Sequence, residues 1–237
     1  VIGRFLEYSV HSPDILASLR FYEGLGFRQL DVGEVWSHPY AVVSDGRAVI
    51  GLHAYAFDSP AVTFVLRDLA AKLPHLRRRG IDFAFAKTGD DQFNEAGFVT
   101  PAGQMVALLE ARTFSPPPFC DTDFSHLGRH LGLRLGAADV GAERDYWMSL
   151  GLRLAGENTA TVPGATLTGG DITVAVRAPV AGARSALLFA CADTAALARR
   201  LDETSISWHA GGDATGSDGC MRLRSPEGLH LHVTPAA

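Results

Sequence analysis

Apolar residues in this chain alternate with a period of two in some stretches and recur at helical spacing in others, and the two patterns follow one another in a fixed order. The alternation from Phe5 to Val10 predicts a strand. Ile15, Leu16, Leu19 and Tyr22 then share one face of a helix running to about Leu25. Ser12-Pro13-Asp14 ahead of it supplies an N-cap, a first-turn proline and an acid for the helix dipole. Strands through Tyr40 to Val43 and Val49 to Leu52 follow, joined by the turn Ser44-Asp45-Gly46-Arg47. The order then repeats, with a strand from Val62 to Leu66, a helix from Asp68 to Arg79, and strands ending at Gln104 to Glu110. A third unit opens at His130 with a helix near Ala138 to Leu150, and a fourth at Ala186 with a helix near Asp193 to Leu201.

The units pair into duplicated halves. Gly3-Arg4-Phe5-Leu6 recurs as Gly128-Arg129-His130-Leu131, an offset of 125 positions. At the same offset Phe21-Tyr22 with Leu25-Gly26-Phe27 meets Tyr146-Trp147 with Leu150-Gly151-Leu152, and Pro101-Ala102-Gly103 meets Pro226-Glu227-Gly228. Three motifs at one offset mark internal repetition. The expected architecture is α+β, four tandem βαβββ modules, with residues 1–112 as one domain and 128–237 as the second. Residues 113–127 are the expected linker, because Ser115-Pro116-Pro117-Pro118 favours an extended segment.

The run "SPDILASLRFYEGLGF" after an opening strand, and "TPAGQMVALLEAR" closing the second unit, resemble the first-helix and last-strand patterns of the vicinal oxygen chelate superfamily of glyoxalases, bleomycin-resistance proteins and extradiol dioxygenases. The resemblance spans almost the whole chain. It implies two half-open barrel domains, each a cup of strands with helices outside, and a divalent metal held by residues of the opening and closing strands.

Alternation decides which strand residues face such a cup. Placing Leu131, Leu133 and Leu135 against the helices leaves His130, Gly132 and Arg134 facing inward, and Leu229, Leu231 and Val233 leave His230, His232 and Thr234 inward. His130, His232 and Arg134 are therefore the catalytic candidates, with His130, His232 and His230 as candidate ligands for Zn, Fe or Ni. The resemblance implies a further histidine where Ala186 stands, and no carboxylate occupies an inferred ligand position. In the first half Phe5, Ala61 and Ala107 stand at the implied ligand positions, so no metal site is expected there. Phe5, Glu7, Thr63 and Met105, with His230 of the second half, are the candidate substrate-binding residues: a mostly apolar surface with a few polar groups. Trp36, His38, Pro39 and Tyr40 are candidates for its rim, whereas His53, at a strand end, reads as structural or exposed.

Composition narrows the functional classes. The net charge of −5, from 26 acidic and 21 basic residues, gives no footprint for nucleic acid or an anionic membrane. The three cysteines form no CxxC pair, which fits a reducing cytoplasm. The stretch "GGDATGSDG" lacks the strand and helix context of a phosphate loop and reads as a loop. The expected partner is a small organic molecule, bound and converted or merely sequestered, with a homodimer as the expected assembly. The alternative is a metal-dependent dioxygenase or lyase centred on the second half's histidines.

Overall fold

The computed structural model of this 237-residue protein describes residues 2–32, 38–111, 125–158, 163–179, 184–211 and 219–236. Trp36, the 113–124 part of the expected linker, Cys120 and most of the glycine-rich loop lie outside these residues. The first module comprises β1 (Arg4–His11), α1 (Ile15–Gly24), β2 (Arg28–Leu30), β3 (Tyr40–Ser44) and β4 (Val49–His53). The second comprises β5 (Ala61–Leu66), α2 (Leu69–Arg78), β6 (Phe83–Lys87), β7 (Glu95–Val99) and β8 (Met105–Glu110). The third is β9 (Arg129–Gly136), α3 (Val140–Ser149), β10 (Arg153–Asn158), β11 (Gly164–Gly169) and β12 (Ile172–Arg177). The fourth is β13 (Ser185–Cys191), α4 (Thr194–Glu203), β14 (Trp208–Ala210), β15 (Met221–Arg224) and β16 (His230–Pro235). Helix α1 is capped by Asp14, whose carboxylate accepts from Ala17 N at 3.0 Å, rather than by Ser12, whose hydroxyl meets Ser18 Oγ instead.

Modules pair into two eight-stranded sheets of the same topology, β2-β3-β4-β1-β5-β8-β7-β6 and β10-β11-β12-β9-β13-β16-β15-β14. The two opening strands of each sheet run antiparallel at its centre, and each closing strand lies parallel to its own opening strand. Tyr8, Val10, Ile50, Leu52, Phe64 and Leu108 line the helix-covered face, all essentially buried. Their counterparts Leu133, Leu135, Val174, Val176, Phe189 and Val233 do the same in the second half.

One irregularity redirects the opening strands. Pairing jumps from Phe5↔Phe64 to Glu7↔Thr63, and from Phe189↔His130 to Leu188↔Gly132, so Leu6 and Leu131 are the extra residues of matching β-bulges. Simple alternation places Phe5 and His130 in the cups; the bulge turns both onto the core face. Phe5 packs on Tyr8 and Phe64, and His130 on Phe189 and on Tyr8 of the other half. Gly132, next to the second bulge, has φ +129°, and a Cβ there would lie 2.4 Å from Thr173 O, so only glycine fits.

The halves share one continuous core, bridged by Tyr8 against His130 and Phe27 against Phe189. Polar contacts between them are reciprocal. Ser18 and Tyr22 on α1 donate to the Glu227 carboxylate, in the turn before β16, at 2.7 and 2.5 Å. The Glu143 carboxylate on α3 accepts from Ala102 N, in the turn before β8, and from Trp147 Nε1, both at 2.8 Å. Glu143 and Trp147 are fully buried, so these bonds satisfy groups that would otherwise be stranded in the core.

Candidate functional site in the N-terminal cup

Past the bulge β1 alternates regularly, placing Glu7 and Ser9 on the cup face. Glu7 is 1% exposed, and three donors converge on its carboxylate: Ser9 Oγ at 2.7 Å, Tyr40 Oη at 2.5 Å and His53 Nε2 at 2.8 Å. That is the hydrogen bonding a buried carboxylate needs. Gly51 of β4 makes room for it, since a Cβ at that position would lie 2.1 Å from Glu7 Oε1.

The proton positions follow from the partners. A carboxylate at Glu7 has only lone pairs to offer, so His53 Nε2 donates to it, and in that tautomer Nδ1 accepts from His38 Nε2 at 3.0 Å. Burial, and then the neighbouring His53, hold His38 below the ordinary histidine range. Ser9 gives its proton to Glu7, so in the 2.6 Å contact with Thr63 Oγ1 the threonine is the donor. Thr63 keeps acceptor capacity for a guest.

Above this floor lies a cavity of about 270 Å³, lined by Ala61, Thr63, Met105, Ala107 and Leu109 on β5 and β8, with Tyr55, Phe57 and Phe85 as aromatic walls. The Tyr55 and Phe57 rings are 5.1 Å apart, and Phe57 stands 5.7 Å from His53. Glu95 lines the wall and accepts from Lys87 Nζ at 2.7 Å. Burial, and after it Glu95, push the Tyr55 phenol up.

Of the residues expected in this cup, Thr63 and Met105 line the cavity, with Ala61 and Ala107, and Glu7 lies beneath it. Phe5 does not, because of the bulge. Tyr40 and His38 reach the floor through Glu7 and His53. His53, read as structural or exposed, is 3% exposed and central to the site. Its signal was available: with Ile50 and Leu52 in the core, alternation puts Gly51 and His53 on the cup face.

The second cup is different. His130 faces the core rather than the cup; its Nε2 is buried without a hydrogen-bond partner among the described residues, and burial, then Arg47, lower its pKa to about 4. His232 pairs with Leu188 on the opposite face, so His130 and His232 cannot share a ligand. The His230 and His232 rings are 6.4 Å apart, and burial followed by Arg222, Arg134 and His230 lowers His232 to about 4. His230 lines a separate crevice with Gln104 and Arg184. Arg134 stays on the cup side and donates to Ala178 O at 2.9 Å.

The divalent metal implied by the resemblance does not fit this donor set: one of three imidazoles points away, and guanidiniums stand beside both that remain, Arg222 and Arg134 by His232 and Arg224 and Arg222 by His230. In the first cup Glu7 and His53 are donors but are bonded to each other, while Ala61 and Ala107 offer none. Among the described residues, no three His, Cys, Asp or Glu side chains gather as a metal group. Nor is any helix among them long and apolar enough to cross a membrane.

No family model matches the chain, and no curated protein matches it in sequence. Solved structures do match. A catechol 2,3-dioxygenase superposes with a TM-score of 0.61 at 16% identity, over 99% of this chain and 90% of that one. An extradiol ring-cleaving dioxygenase from B. fuscum gives 0.64 at 14% identity, over 99% and 72%. Homoprotocatechuate 2,3-dioxygenase from Arthrobacter globiformis gives 0.63 at 13% identity, over 99% and 80%. The chain has the two-domain, extradiol dioxygenase-like form of the vicinal oxygen chelate fold. At these identities the likeness is one of fold alone.

Proposed function

We propose that the protein binds a small, largely apolar organic molecule in its N-terminal cup, with the C-terminal half serving as the scaffold that completes the core. The observation that carries this reading is the aromatic-walled cavity of about 270 Å³ over a polar floor, the composition of a small-molecule site. Binding is favoured over turnover because both oxygens of Glu7 and both ring nitrogens of His53 are engaged within the protein. No base in this network stands open towards a guest.

Ligand-observed NMR with a library of small aromatic compounds tests the reading. Ligands should shift the Met105 methyl and Phe85 ring resonances, and Ala107→Trp, which fills the cavity, should abolish binding while leaving the fold intact. Compounds that persist with the tryptophan variant, or that move His232 and Arg134 instead, would overturn it.

A further inference from the structure

The N-terminal cup has a definite electrostatic sign. Three carboxylates surround it: Glu7 under the floor, Glu95 on the wall and Asp58 at the mouth. Among the described residues that line the cavity there is no arginine or lysine. Beside it stands Lys87, whose ammonium is held by Glu95 at 2.7 Å and lies 5.9 Å from the centre of the Phe85 ring. A cation thus already rests on the aromatic wall. Phe85 is held there by close packing, since a Cβ on Gly97 would lie 2.3 Å from its ring edge. Ionisation of the Tyr55 phenol is disfavoured by burial first and then by Glu95, with Lys87 acting the other way.

Ring faces attract cations through their quadrupole, and the attraction grows as water is excluded and a carboxylate stands nearby. We infer that the occupant of this cup is an organic cation, a small ammonium compound whose charge lies over Phe85 and Tyr55 against Glu95, its apolar part on Met105, Ala107 and Leu109. The Lys87 ammonium, at the end of a side chain that is 62% exposed, competes for Glu95 and the Phe85 ring and swings into solvent when the guest arrives. The inference rests on the cup being the binding site, and adds the charge of what binds there.

Three compounds of one size class separate the two claims: phenyltrimethylammonium, its uncharged isostere tert-butylbenzene, and benzoate, titrated against the whole chain and followed by the Met105 and Phe85 resonances. The cation should bind about ten-fold more tightly than the isostere. Glu95→Gln and Phe85→Leu should each erase most of that preference, and Lys87→Met should strengthen cation binding several-fold by removing its internal competitor. Equal binding of cation and isostere, or tightest binding of benzoate, would overturn the charge inference while leaving the cup a binding site. Failure of all three to bind, or binding that survives Ala107→Trp, would overturn both.

Discussion

The two cups share a frame and differ in what they hold. Strand order and the opening-strand bulge are the same, and the opening and closing strands at the centre of each sheet keep one register, so those positions compare residue by residue at the 125-position offset. Glu7 becomes Gly132, Ser9 becomes Arg134, Thr63 becomes Leu188 and Ala107 becomes His232. The first cup buries a carboxylate among hydroxyls and imidazoles; the second carries guanidiniums beside two histidines kept neutral. Most core-facing positions are apolar in both halves, His130 opposite Phe5 being an exception, whereas cup-facing positions differ even in charge sign.

The largest effect should come from Glu7→Ala. It strands three donors at once, and loss of one partner from a buried charged network costs about 3–5 kcal/mol in urea unfolding. Arg134→Met, which removes a buried charge from the second cup, should cost about 1–2 kcal/mol. Equal losses would erase the distinction between the cups.

Acid should act through the second half. His130 and His232 have folded pKa values of about 4 against an ordinary 6.5, so between those values the unfolded chain binds more protons. Their contribution is whole above pH 6.5, falls as pH drops, and is gone below about 4. For the buried His130 this amounts to about 3 kcal/mol. A series of melting temperatures across this range should show the slope, and His130→Phe, which installs the first half's residue, should flatten it. An unchanged slope would remove His130 as a cause.

Gly51→Ala should cost about 1–3 kcal/mol, by forcing the Glu7 carboxylate off its partners, and should weaken ligand binding in the first cup. Gly156→Ala, where an added Cβ meets nothing within 4 Å, should change unfolding by less than about 0.5 kcal/mol. The smallest effect is expected from His232→Ala, which should leave affinity in the first cup unchanged by calorimetry. A large loss would return the second cup to the centre of function.

Particular residues show what was legible in sequence. The duplication and the βαβββ order could be read because Leu25-Gly26-Phe27 and Leu150-Gly151-Leu152 recur at one offset with the strand patterns around them. Thr63, Met105 and Glu7 could be placed because alternation holds beyond the bulge. Phe5 and His130 could not, since a single extra residue inverts the face of everything before it. The one local sign was Gly132, whose backbone no other residue could adopt. Helical periodicity carried no trace of Ser18 meeting Glu227, because that contact joins residues 209 apart.

The helix-to-turn contacts between the halves follow one rule. Ser18 and Glu143 are the same position in the duplicate, as are Ala102 and Glu227. Helix position meets turn position twice, each time in the opposite half, which is the isologous pattern of a twofold homodimer. Two identical chains would have to serve both contacts with one sequence. A single chain is free of that constraint, and here one contact has its glutamate on the turn and the other on the helix. The same freedom lets the two cups differ in their charged groups, which a symmetric pair could not do.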